Sequence, residues 1–371
     1  MNNQSILILG GYGNTGKYLA PLLLSQTDVR LVLAGRNKEK AQQFAAQLND
    51  QFKGDRVSGV FADASNITSL KQVFKDVDFV LVASSTVKYV QEVATAALES
   101  GIDYLDIQYS QKKVPILKSL EKEIEKAGLC FITEAGFHPG LPAAMVRFVA
   151  PNFSCLEKTI VGSVIRAKEG LPLSDSLYEL VEEFKDYQSL FYKDGNWLKA
   201  KMRDMRKIDF GGQFGQQYCF PMFLEEMRPL PELFPSIKET GFYIAGFNWF
   251  VDWFVTPLIV LALKIFPQKG IRPMGKLMHW GIKTFSSPPY GVVLKIEAEG
   301  EKDGEKKKMI VSAFHEDGYQ FTAIPVVACL LQYLDGSIRK PGLWMMGHIV
   351  DPLRLIEDMK RMGVQINARV L

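Results

Sequence analysis

Several features that would point to an easy answer are scarce in this chain. There are four cysteines in 371 residues, Cys130, Cys155, Cys219 and Cys329, scattered and without a C-x-x-C. That usage fits a reduced compartment and excludes a disulfide framework or a zinc ribbon. The four histidines are also scattered, no H-E-x-x-H occurs, and no metal is expected. Net charge is only +3, with no basic run interleaved with aromatics, so nucleic acid is not an expected partner. The densest basic run, Lys306-Lys307-Lys308, follows Asp303, Gly304 and Glu305 and reads as a solvated hairpin tip. No leader pattern surrounds the apolar start at Ile6, and a cytoplasmic location is expected. Repeats and low-complexity segments are missing too. What remains is an ordinary globular balance, 47% hydrophobic and 23% charged, at a length that suits two domains.

Glycine is abundant at the start. Ser5–Leu9 is a short apolar run, right for a buried parallel strand, and Thr15–Leu24 has apolar residues at helical spacing. Between them stands Gly11-Tyr12-Gly13-Asn14-Thr15-Gly16, a G-x-G-x-x-G with Gly10 as an extra. One glycine makes the turn, one lets a pyrophosphate approach the backbone, and one lets the helix pack close to the strand. The helix N-terminus then offers N–H groups to phosphate. Val29–Ala34 supplies the second strand that the motif requires. An NAD site wants an acid at the end of that strand, to bind the ribose 2′-hydroxyl. Here Gly35-Arg36-Asn37-Lys38-Glu39-Lys40 puts no acid at the turn. Arg36 can hold a 2′-phosphate and stack on adenine, with Lys38 or Lys40 adding charge, so NADP(H) is expected over NAD(H). Arg36 also reads as an ordinary charge at the start of a helix.

The alternation continues. Val57–Ala62 is a strand candidate ending at Asp63 and Ala64, where such folds touch the adenine. Ile67–Lys75 reads as a helix, Asp78–Ala83 as a strand, Val87–Ser100 as a helix closed by Gly101, and Ile102–Leu105 as a strand. Lys113–Ala127 follows as a helix closed by Gly128, and Leu129–Thr133 as a sixth strand. Ser84-Ser85-Thr86 form a polar turn at a strand's carboxyl end, where open α/β sheets place ligands. Gly136, Pro139 and Gly140 make a fixed turn past the sixth strand, and a new helix starts at Leu141. The expected fold is α/β, a doubly wound Rossmann-type parallel sheet.

"GGYGNTG", "LAGRNKEK", "GIDYLDI" and "TEAGFHPGLPAAMV" fall in the order and spacing of the saccharopine dehydrogenase-like oxidoreductases, which this chain resembles. "FHEDGYQFTAIPVVACLLQYLDG" and "GLWMMGHIVDPLRLIEDMKRMGV" resemble that family's returning segment. The resemblance covers roughly the first 150 and last 60 residues. It implies a dinucleotide on Gly11, Gly13, Asn14, Thr15 and Gly16. It also implies a nicotinamide half along Ala83, Ser84 and Ser85 and along Glu134, Gly136, Pro139 and Gly140. Where better-known relatives carry an aspartate before Pro-Gly, this chain has His138. An imidazole can donate a proton, which makes His138 the candidate catalytic group and puts an amino-acid-type substrate in question. His138 also reads as a structural turn residue.

After about residue 150 the periodicity changes. Lys158–Ala167 alternates like a half-exposed strand, and Ser174–Phe184 reads as an acidic amphipathic helix with Ser174 or Asp175 as its cap. Hairpins are expected through Gly211-Gly212 and near Asp303-Gly304, in an antiparallel sheet with helices on one face. The expected domains are 1–145 for the dinucleotide, 146–320 as an α+β substrate and dimerisation domain, and 321–371 returning to the first. Arg166, Arg203, Arg206 and Arg228 are candidate carboxylate clamps, though each reads first as a surface charge; Tyr243 and His315 are weaker pocket candidates.

The segment 241–267 is long enough to span a membrane. Fourteen of residues 242–266 are Leu, Ile, Phe or Val. They offer about −4 to −8 kcal/mol, against roughly 5 to 7 for a central Asp252 and Lys264, so a spanning helix is not expected. Two readings remain: a buried helix at a domain or homodimer interface, or a helix dipping into a membrane surface or lining a lipid-like pocket. The leading functional expectation is an NADP(H)-dependent oxidoreductase moving a hydride to or from an imine, carbonyl or activated alkene of a small-molecule substrate, an apolar one being among the candidates. The alternatives are a non-catalytic NADP-binding sensor or membrane-associated scaffold, and a lipid-type enoyl reductase at a membrane surface.

Overall fold

The computed structural model describes residues 4–166 and 173–371. The chain divides into two compact units, Met1–Ala144 with Tyr319–Met362 and Met145–Gly318 with Gly363–Leu371.

In the first unit, apolar runs too short for helices alternate with two-faced helices, and this produces a parallel sheet. The order is β1 (Ser5–Leu9), α1 (Gly16–Gln26), β2 (Arg30–Gly35), α2 (Lys38–Gln51), β3 (Val57–Phe61), α3 (Ile67–Phe74), β4 (Phe79–Val82), α4 (Val90–Ser100) and β5 (Asp103–Asp106). Then come α5 (Lys113–Ser119), α6 (Glu121–Lys126), β6 (Cys130–Thr133) and α7 (Leu141–Val149). The expected helix Lys113–Ala127 is thus two helices broken at Leu120. All pairs are parallel in the spatial order β6-β5-β4-β1-β2-β3, which reverses direction beside β1. Leu7, Leu9, Val80, Val82, Tyr104 and Phe131 are buried in its core.

The second unit is built on β7 (Cys155–Arg166), α8 (Asp175–Glu183), β8 (Leu190–Lys193), β9 (Asn196–Lys199), β10 (Arg206–Asp209), β11 (Gln216–Met222), α9 (Leu230–Leu233) and β12 (Glu239–Ala245). A π-helical turn at Val251–Val255 runs into α10 (Thr256–Ile265), followed by α11 (Ile271–Phe285), β13 (Gly291–Lys302) and β14 (Glu305–His315). Both expected hairpins form, β10–β11 and β13–β14. Three readings need correction. The sheet is mixed, because β12 pairs with β7 in parallel. β7 is a central strand flanked by β12 and β13, so its middle is buried on both faces rather than half-exposed; Ala167 lies outside the described residues. Segment 241–267 is not one helix, since Glu239–Ala245 is a strand of that sheet. Ser174 does stand at the N-cap position of α8, but its hydroxyl pairs with Ser176 at 2.7 Å.

The chain then returns. α12 (Gly318–Leu334), β15 (Gly342–Met345), α13 (Met346–Ile349) and α14 (Pro352–Arg361) follow, and β15 adds a seventh parallel strand beside β6. The return stops short of the expected Leu371: β16 (Gln365–Val370) pairs antiparallel with β14 as the edge of the nine-stranded second sheet.

Asp252 folds back onto Gly246, where a Cβ would collide with its carboxylate, and accepts the Phe247 N–H at 3.0 Å. Burial pushes this carboxyl up to about 7. The folded state therefore keeps a proton that the unfolded chain releases near pH 4, and this contribution to stability is lost as pH rises from about 4 to about 7. Asp252→Asn keeps an acceptor and removes the titration. Thermal melts from pH 5 to 8 are expected to show a flatter pH dependence than the parent chain, with the variant gaining most at pH 8.

Candidate functional site

The glycine loop joins β1 to α1 in six residues. Gly10 has φ +90°, and a Cβ there would lie 2.8 Å from the Ala83 carbonyl oxygen. A Cβ on Gly16 would collide with the carbonyl oxygens of Gly10 and Gly11. The loop can therefore lie against both β4 and the start of the helix only because these side chains are missing. Gly10 donates to Ala34 O and Gly13 to Gly10 O, both at 2.8 Å, which fixes the turn. The first N–H groups of a helix have no intrahelical acceptor and sit at its positive end, so the start of α1 suits an anion. Asn14 is exposed and its Nδ2 donates to the Tyr319 hydroxyl at 3.2 Å, tying the loop to the first turn of α12; Thr15 is half-buried.

At the end of β2, Arg36 is exposed, and Asn37 caps α2 by accepting the Lys40 N–H at 2.7 Å. Sequence reasoning missed Tyr12, an unassigned position within the motif. Its ring covers Gly35, where a Cβ would meet the phenol oxygen at 2.6 Å, and its hydroxyl accepts the Asn37 N–H at 2.8 Å. Tyr12 thereby binds the glycine loop to the turn that carries Arg36. At the next strand end, Asp63 accepts the Ser65 N–H at 2.9 Å and its Oγ at 2.8 Å. These bonds, with a smaller pull from the Arg36 charge, hold its carboxyl below the usual range. Ala64 is buried in the core. Arg36 and Asp63 are thus brought together at adjacent strand ends.

The ends of β4, β5 and β6 share one polar network. Ala83 continues β4 by donating to Leu9 O at 2.8 Å. Ser84 and Thr86 pair through their hydroxyls at 2.9 Å, and Ser85 beside them is half-buried. Gln108 Nε2 donates to Ser84 O at 2.8 Å and to Thr86 Oγ1 at 2.9 Å. Beneath it, Asp106 is fully buried and forms an ion pair with the fully buried Lys113. Asp106 also accepts from Thr133 Oγ1 at 2.7 Å, Tyr104 Oη at 3.0 Å and Gln108 N at 3.2 Å. Burial and the Asp106 charge hold the Tyr104 phenol well above its ordinary range, so it stays a donor. Asp106 and Lys113 were not singled out from the sequence. Asp106 sits inside "GIDYLDI", but its partners are dispersed over thirty positions and share no motif.

Glu134–Gly140 follows β6. Ala135 donates to Asp106 O at 3.0 Å, Glu134 is buried, and Gly136 and Gly140 take φ of +138° and +116°. Pro139 is buried within the turn, and Phe137 packs on Phe321 of α12 with ring centroids 4.7 Å apart. Beside it, burial pushes the His138 imidazole down to about 4. The ring is therefore neutral near pH 7, and a neutral ring can donate or accept a hydrogen bond.

The clamp candidates lie in the second unit and have local partners. Arg166 donates to Gln217 at 3.0 Å, Arg206 pairs with Glu239 and lies over the Tyr243 ring, and Arg228 pairs with Glu225 at 2.7 Å. Tyr243 is in the core, His315 Nδ1 accepts the Asp317 N–H at 3.0 Å, and Arg203 sits on an exposed turn. The structure gathers none of them into a common site within that unit.

Removing Asp106 would leave the Lys113 ammonium buried without its counter-charge. Asp106→Ala is expected to cost about 3–5 kcal/mol of unfolding free energy in urea titration. Lys113→Met with Asp106→Leu should recover part of that loss, because no lone charge then remains.

The loop, the helix start, the cation at Arg36 and the polar strand ends fit a nicotinamide dinucleotide: an anion seat, a cationic end and a hydrogen-bonding end lie along one sheet edge. Residues 6–132 match the family described as the saccharopine dehydrogenase NADP binding domain. Among solved structures, the chain is similar to apo saccharopine dehydrogenase (L-Glu forming) from Saccharomyces cerevisiae. The two align at 15% identity with a TM-score of 0.72, covering 99% of this chain and 100% of that one. A DAP dehydrogenase of C. glutamicum in complex with DAP aligns over 98% of this chain and 100% of its own at 13% identity, with a TM-score of only 0.47. No curated protein sequence matches. Residues 6–132 thus match the saccharopine dehydrogenase NADP binding domain, and the chain as a whole has the fold of saccharopine dehydrogenase.

Proposed function

We propose that the protein is an NADP(H)-dependent oxidoreductase that transfers a hydride to or from an imine, carbonyl or activated alkene. The observation that carries this reading is the exposed Arg36 at the end of β2, where an NAD site would place an acid, joined through Tyr12 and Asn37 to a glycine loop closed on a helix start. The loop glycines and the N-terminus of α1 hold the pyrophosphate, and Arg36 holds the 2′-phosphate as a delocalised cation. The nicotinamide supplies the hydride chemistry when bound. Ser84 and the Gly136–Gly140 turn orient the ring, and their positions are set by Gln108 and Asp106. His138 contributes a neutral imidazole that polarises the reacting group by hydrogen bonding. The departure from aspartate at this position argues for a substrate that carries no cationic amine there.

Fluorescence titration with NADPH and NADH tests the cofactor half. Arg36→Ala is expected to weaken NADPH about tenfold or more, roughly 1.4 kcal/mol, and to leave NADH nearly unchanged. Tight binding of NADPH with no turnover across imines, carbonyls and enones would favour the sensor reading instead.

His138 gives a second prediction. If the imidazole acts as a neutral hydrogen-bond donor, kcat with NADPH shows no break from this group between pH 6 and 8. His138→Gln, which keeps a donor, retains more activity than His138→Ala, whose loss is expected at about a hundredfold. Equal kcat in all three proteins returns His138 to a structural role.

A further inference from the structure

The helical hairpin of the second unit has an unusual exterior. The helical stretch Val251–Ile265 is apolar on two faces. Val251, Val255, Ile259 and Leu263, spaced by four, are buried against Leu177, Val181, Met278 and Ile282. The opposite stripe, Phe254, Leu258, Leu261 and Ile265, is 45–61% exposed. A surface helix normally turns charge outward, and a helix apolar all round is normally buried. Its one acid, Asp252, is turned inward onto Gly246.

Aromatic rings hold part of this face in place. Trp249, Phe250, Phe254, Trp280 and Phe285 form a cluster with centroids 4.4–6.0 Å apart, joining the start of the hairpin to α11. Trp249, Trp253 and Trp280 nevertheless remain 58%, 55% and 49% exposed.

The charge on this surface has one sign. From Trp253 to Ile296 the sequence has no Asp or Glu, while Lys264, Lys269, Arg272, Lys276 and Lys283 are exposed. Arg272, Lys276, Trp280 and Lys283 recur at spacings of four, four and three, which puts cations and an indole on one face of α11. Besides the inward-turned Asp252, the acids Asp175, Glu179, Glu182 and Glu183 belong to α8, which touches α11 where Tyr178 meets Gly275.

We propose that the face formed by Trp249, Trp253, Phe254, Leu258, Leu261 and Ile265 docks into the surface of an anionic lipid bilayer, with the flanking cations on the headgroups. Indole rings and lysines at the border of an apolar face suit the headgroup boundary. The fifteen residues from Val251 to Ile265 make a helix of about 22 Å, short of the ~30 Å hydrocarbon core. Among the described residues, no helix is long and apolar enough to cross a membrane. The docking is therefore peripheral. A second copy of the chain fits less well, because a two-fold contact places the same patch on itself and sets cations against cations. Anionic lipid supplies the missing sign. The segment expected from sequence, 241–267, overlaps this face only in part: its first five residues are a sheet strand, and Trp280 and the α11 cations lie beyond it.

The test is flotation of the full chain with vesicles of phosphatidylcholine alone or with about 30% phosphatidylglycerol, read alongside tryptophan emission. Two of the five tryptophans lie on the proposed face and Trp280 stands among the flanking cations, so insertion is expected to shift emission to the blue. Binding to the anionic vesicles should exceed binding to the neutral ones at least tenfold and fall in about 0.5 M salt. Leu261→Glu with Ile265→Glu changes exposed positions only; it should abolish flotation while leaving circular dichroism and NADPH binding unchanged. Lys276→Glu with Lys283→Glu should lose more than about tenfold. No flotation with either vesicle, or equal flotation with both, overturns the proposal. So does a dimer in light scattering that Leu261→Glu converts to monomer, which would make a second copy the occupant.

Discussion

A single carboxylate holds the ligand-facing edge of the first unit together. Asp106 is buried at the end of β5 with a lysine ammonium, two hydroxyls and a backbone N–H all directed at it. Taking a carboxylate and an ammonium out of water is expensive, and the cost is offset only where remaining lone pairs find donors. Here they do, and the donors come from different places: Thr133 from β6, Gln108 from the loop after β5, Lys113 from α5. Gln108 then reaches the loop after β4. The spacing of three strand ends is thereby set by charge and hydrogen-bond geometry rather than by apolar contact, which is tolerant of small slips. A site that must hold a reacting ring within tenths of an ångström is better served by the first kind of constraint.

Much of the first unit could be read from the sequence because each signal was local. Four-to-six-residue apolar runs, glycines after helices at Gly101 and Gly128, and the glycine loop each depend on neighbours in the chain. The Asp106 network was not legible: a buried lysine looks like any other lysine until its carboxylate is found. Tyr12 was hidden for a related reason, since its contact with Asn37 spans a βαβ unit. Gly241–Ala245 was absorbed into a long apolar segment because a continuous apolar run does not distinguish a buried strand from a buried helix. Only its pairing with β11 and, some eighty residues back in sequence, with β7 decides the matter. β16 failed differently. "QINARV" is mostly exposed at a sheet edge, so it carries almost no burial pattern.

The two units solve the problem of exposed apolar surface in opposite ways. The first buries its central strands, leaving polar and glycine-rich loops at the carboxyl ends. The second buries a sheet and then presents an apolar helical face outward. Fold retained at 15% identity shows how little of a sequence backbone topology demands. The chemistry is carried by side chains that topology leaves free, such as the imidazole at His138, the phenol at Tyr12 and the tryptophans of the hairpin.

The split of the first unit across Met1–Ala144 and Tyr319–Met362 has a consequence during synthesis. Until the ribosome has made residues Gly342–Met345, β6 is an uncovered sheet edge with unpaired backbone groups. At cellular elongation rates, the intervening stretch takes on the order of ten seconds or more to emerge. A nascent chain must therefore wait half-built, and the edge of β6 is where a chaperone would be most useful and where a stalled ribosome would leave the product most prone to stick to its neighbours.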